Sequence, residues 1–191
     1  MRSAAALFCF LLMGSACGGS DDIAAEVFDR AFVSPPESPE LTLVEVDYLA
    51  DRLAALPPTF ELWGGPRVSS SQVGCFMEKL IAGRGIAGFE RLNDSMASAA
   101  GQGGASRLDA TYFFRAVGSC IDLLKAQKEA AAQAENVGID AIECAFEGVS
   151  KSDVEGWFVD YFVEGGFAFQ DQLFDRVSNR IPGCVRDLIS G

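Results

Sequence analysis

GRGIAG, residues Gly83–Gly88, has the spacing G-x-G-x-x-G, and its reading decides between two fold classes. After a β-strand, such a run opens a phosphate-cradling turn in a doubly wound α/β domain. After a helix, it is only a connector between helices. The residues upstream favour the connector. Ser69-Ser70-Ser71-Gln72 has the S-x-x-Q form of a capping box, in which both side chains satisfy free amides at a helix start. The pattern predicts a helix over about 71–82, a turn at the glycines and a second helix over 86–99, and it argues against nucleotide binding.

A second segment looks like the first. CFMEKLIAGRGIAGFE (75–90) parallels CAFEGVSKSDVEGWFV (144–159), with Ile86-Ala87-Gly88-Phe89 matching Val154-Glu155-Gly156-Trp157 once one residue is inserted. Further on, VGSCIDLL (117–124) parallels IPGCVRDLI (181–189). Each unit, about 69–124 and 139–189, therefore opens with one cysteine (Cys75, Cys144) and closes with another (Cys120, Cys184). Four cysteines allow three connectivities. If each unit is self-contained, the bonds are Cys75–Cys120 and Cys144–Cys184, across 45 and 40 residues. Loops of that size give about 4 kcal/mol each on the chain-entropy estimate. None of the four has C-x-x-C spacing, which disfavours a zinc site or a redox-active pair.

The chain has 191 residues, of which 49% are hydrophobic and 10% aromatic, enough for one domain with a real core. Its net charge of −12 argues against nucleic acid and against electrostatic docking on anionic lipid. Histidine is absent. That removes Ser-His-Asp and Cys-His catalysis, histidine-ligated zinc and a histidine general base.

The amino terminus, MRSAAALFCFLLMGSACGGSDD, places Arg2 before an apolar run from Ala4 to Met13 and then small residues up to Cys17. This is a secretory leader over residues 1–16, too short to span a bilayer comfortably. Gly14 and Ala16 suit ordinary signal cleavage, and plain secretion remains an alternative. The cysteine at the cut, followed by Gly18-Gly19-Ser20-Asp21-Asp22, resembles the lipobox of bacterial lipoproteins, although Gly14 stands where those have a leucine. The resemblance covers about the first 22 residues. It implies that Cys17 is lipidated, that residues 17–40 form a flexible tether and linker, and that the domain over 41–191 faces the extracytoplasmic side of a membrane.

The rest reads as helices. Ile23–Phe32 has the spacing of a short amphipathic helix, VSPPESPE (33–40) of an acidic, proline-rich linker, and Leu41–Leu56 of a helix that Pro57-Pro58 ends. TFELWGGPR (59–67) reads as a loop anchored by Phe60 and Trp63. Ser106-Arg107-Leu108-Asp109 caps a long helix that carries Phe113, Val117, Cys120 and Leu124 inward and ends at Asn136 or Gly138. A helix over Ile139–Val149 is followed by Ser150-Lys151-Ser152-Asp153, which caps the next. Phe169–Ile181 and a short helix from Pro182 complete the chain.

The expected class is all-α, a small bundle built from two disulfide-stapled units. No cofactor or metal is implied. Trp157, Phe158, Tyr161 and Phe162 fill a helical apolar stripe. That stripe reads first as core, and second as a groove for a partner protein or a small apolar ligand. Asp153, Glu155, Asp160 and Glu164 share that helix. The leading function is a non-catalytic binding or structural role in the cell envelope; the alternative is a histidine-free hydrolase using paired carboxylates.

Overall fold

The computed structural model describes residues 34–61, 67–166 and 173–190. Among them the architecture is all-α, with seven helices: α1 Leu43–Ala54, α2 Ser70–Ala99, α3 Arg107–Cys120, α4 Leu123–Glu135, α5 Ile139–Ala145, α6 Lys151–Val163 and α7 Ile181–Ser190. The leader, Cys17, the Ile23–Phe32 segment and Trp63 lie outside the described residues.

Helix starts fall where serines announce them. Ser69 accepts from the Gln72 amide while Gln72 Oε1 accepts from the Ser69 amide, and Ser150 with Asp153 repeats the arrangement. Ser106 accepts from the Asp109 amide. Each such cap contributes on the order of 1 kcal/mol. Asn136, at φ 53°, ends α4 in a left-handed turn.

As expected, two helical segments flank GRGIAG and meet at a kink at Gly85 (φ 66°, ψ 172°); α2 denotes both together. The structure departs from the expected elements at three points. The long helix from Ser106 is cut in two. Ile121 is extended and buried, and Asp122 accepts from the Lys125 amide to cap α4, so a local cap overrides continuous helical periodicity. The ends of TFELWGGPR pair as a hairpin, β1 Thr59–Glu61 against β2 Arg67–Ser69, with Phe60 opposite Val68. That pairing seats Val68 in the core. Near the carboxyl end, a π-helical turn over Phe174–Ser178 precedes α7, which begins at Ile181.

Helices α2, α3 and α6 form the centre of the bundle, with α1 on α2, α4 against α5 and α6, and α5 on α7. Leu80, Ile81 and Met96 of α2, Phe113, Phe114 and Val117 of α3, and Val154, Trp157 and Phe162 of α6 are fully or almost fully buried. Burial of large apolar side chains of this kind stabilises the fold by about 1.5–3 kcal/mol each. Helix α1 is held from the side: Tyr48 donates to Glu90, and Arg52 donates to both Tyr48 and Glu90.

Two disulfides close the structure. Cys75–Cys120 ties α2 to the end of α3, and Cys144–Cys184 ties α5 to α7, with Cα separations of 5.9 and 5.8 Å. Covalent links of this type belong to an oxidising, extracytoplasmic environment. No helix among the described residues is long and apolar enough to cross a membrane.

Candidate functional site

The aromatic stripe of α6 is packed inward. Trp157, Phe158 and Phe162 are buried; Phe158 stacks on Phe114 of α3 with ring centroids 5.4 Å apart, and Phe162 meets the same ring at 5.3 Å. These three serve packing in this structure. Tyr161 alone reaches the rim, half-buried over Gly101, and burial pushes its hydroxyl pKa up. A partner approaching this face would meet Tyr161 rather than the whole stripe.

The four acids on and just after α6 do not all meet at one point. Asp153 faces Arg176 at 3.0 Å, and its carboxyl is held below the usual range by the Ser150 hydroxyl and amide, with Arg176 adding to the effect. Asp160 and Glu164 both grip Arg107 of α3 at 2.8 Å. Glu155 stands apart, its Cδ 3.1 Å from where a Cβ on Gly118 would lie, and burial raises its carboxyl pKa against the pull of Arg115 and Lys151. Side chains locked into exposed ion pairs are poor candidates for acid–base chemistry, and pairs of this kind contribute little stability.

The GRGIAG stretch builds something less expected. Gly83 lies so close to Tyr112 that a Cβ there would collide with the phenol oxygen, and a Cβ on Gly88 would stand 2.8 Å from Arg84 Cβ. The bend and these close approaches seat Arg84 between α2 and α3, its side chain only 7% exposed. Its guanidinium carbon sits 4.2 Å from the centre of the Tyr112 ring, a cation–π contact, and Nη1 donates to Asp109 Oδ1 at 2.7 Å. Arg84 Nε and Nη2 are buried and make no hydrogen bond. Buried polar groups in folded proteins are nearly always satisfied, so this edge of the guanidinium stands out.

Beside Arg84 runs the part of the linker that is described. Lys79 Nζ donates to the backbone oxygens of Pro36 and Glu37, both at 3.1 Å, and Arg115 donates to Ser34 Oγ. Pro36 abuts Gly83. Residues 34–40 are thus strapped across α2 and α3 instead of hanging free. Neither Arg84 nor Lys79 was singled out in the sequence. The available signal was a cation between glycines inside an otherwise apolar helical run.

An open cleft of about 220 Å³ beside α4 and α5 is lined by charged Asp122, Lys125, Lys128, Glu129 and Glu143 together with Leu124 and Ile139. Lys128 pairs with Glu143 across it. Among the described residues no group of three or more cysteine or carboxylate side chains converges as a metal site. No known family model, curated protein or solved structure matches this chain.

Proposed function

We propose that this chain is an exported protein, anchored by lipid at Cys17, whose helical domain binds a partner or ligand outside the cytoplasmic membrane. The two disulfides carry this reading, because a chain stapled at Cys75–Cys120 and Cys144–Cys184 is suited to an oxidising compartment. The leader and the Cys17-Gly18-Gly19-Ser20 run supply the address. Binding is preferred to catalysis because Asp153, Asp160 and Glu164 are engaged in ion pairs around the rim of α6. A small apolar ligand or a protein remains the class of partner.

Mass spectrometry of the protein isolated from membranes tests the anchor. The expected result is an amino-terminal peptide beginning at Cys17 with acyl mass, together with the two disulfide-linked peptide pairs. Full-length chain in the cytosol, with its leader intact and its thiols reduced, would overturn the proposal.

A further inference from the structure

Arg84 Nε and Nη2 lie along one edge of a planar guanidinium, with their N–H bonds nearly parallel. That edge matches the two oxygens of a carboxylate and is the geometry in which arginine recognises one. In this protein the opposite side is already used, by Asp109 on Nη1 and by Tyr112 beneath the ring plane. The free edge is buried, unpartnered and held in a fixed orientation by its seat against Gly88.

We propose that the side edge of Arg84 is a binding site for a carboxylate, supplied either by a small organic acid or by an acidic side chain of a peptide. The charges favour a monoanion. Asp109 already offsets the one guanidinium, and a phosphate dianion would place two further negative charges around a single buried cation. Access comes from the strap. None of residues 34–40 is buried, and Pro36 Cδ lies 3.5 Å from where a Cβ on Gly83, the residue before Arg84, would stand, so the proposal takes the strap as the element that moves. The inference rests on reading this domain as a binding module, and it gives that module a ligand chemistry.

The experiment is a titration followed by ¹⁵N–¹H correlation spectroscopy of arginine side chains on the mature protein. Buried Nε–H groups exchange slowly with water and give resolved signals. The Arg84 signal is identified by its loss in Arg84→Lys, and by through-bond correlation if that variant does not fold. Sodium acetate and the peptide acetyl-Ala-Glu-Ala-amide are the two probes, with phosphate and chloride at matched ionic strength as controls. The expected result is a saturable downfield shift of the Arg84 Nε–H with acetate or with the peptide, whichever binds more tightly naming the source, and silence with phosphate and chloride. Pro36→Gly, which leaves Arg84 intact, should tighten binding severalfold by raising the open fraction. A signal that neither carboxylate moves, or that phosphate and chloride move equally, overturns the site. Such a result leaves export and anchoring untouched, since those are read from the mass of the Cys17 peptide.

Discussion

Replacing Gly85 by alanine distinguishes a functional bend from an ordinary helix, because the two cases predict opposite signs. In a regular helix interior, glycine to alanine stabilises by roughly 0.5–1 kcal/mol. Gly85, however, sits at φ 66°, ψ 172°, a region that is essentially closed to residues with a Cβ. Holding alanine there costs on the order of 1–3 kcal/mol. No atom lies within 4 Å of the added methyl, so the penalty is purely one of backbone conformation. The net expectation is a loss of about 1–3 kcal/mol, or a fall in melting temperature of about 2–4 °C per kcal/mol for a chain of this size. Urea unfolding at a fixed temperature measures it, and the slope with denaturant should stay unchanged. A variant more stable than the parent would refute the reasoning. It would mean that α2 runs straight through residue 85 and that Arg84 has no fixed seat.

Further outcomes follow from the same geometry. Removing Cys144–Cys184 as a double serine variant should cost about 4 kcal/mol, from the entropy of opening a 40-residue loop, and non-reducing peptide mapping should still recover Cys75–Cys120. Trp157→Ala should cost about 3–5 kcal/mol in urea unfolding, the value of a core aromatic; a loss under about 1 kcal/mol would return the stripe to the surface. Ser150→Ala should cost about 1 kcal/mol at neutral pH. Because the Asp153 carboxyl is held low in the folded state, its contribution is present above the ordinary aspartate pKa and disappears as pH falls through the folded value, so the same variant should show a shallower acid loss in a melt-versus-pH series. Glu155 has the opposite sign. Its raised pKa means the native state loses stability as pH climbs from the ordinary glutamate value of 4.5 through the folded one, and Glu155→Gln should flatten that part of the series.

Local chemistry was the most readable part of this fold. Ser69, Ser106 and Ser150 announce helix starts because a capping hydroxyl acts within three residues, so neighbours in sequence suffice to read it. The cysteine pairing was readable through the repeat, which substitutes for information about distance. The break at Ile121 was not, since Phe113, Val117, Cys120 and Leu124 keep helical spacing across it and only the Asp122 cap shows the discontinuity. The hairpin escaped because three-residue strands carry too little alternation to detect. Arg84 was hidden for a different reason. Whether an arginine is solvated or buried depends on Tyr112 and Asp109, which lie on another helix about 25 residues away.

The order of the cysteines has a consequence for biogenesis. Along the chain the first of the four pairs with the second, and the third with the fourth. If the chain is exported as proposed, with Cys17 acylated, threading outward presents each of these four thiols to its correct mate before a competitor emerges. Oxidation in the sequence of emergence produces the native pattern directly. On the proposed export route, native pairing calls for an oxidant outside the channel and for no reshuffling of mismatched bonds.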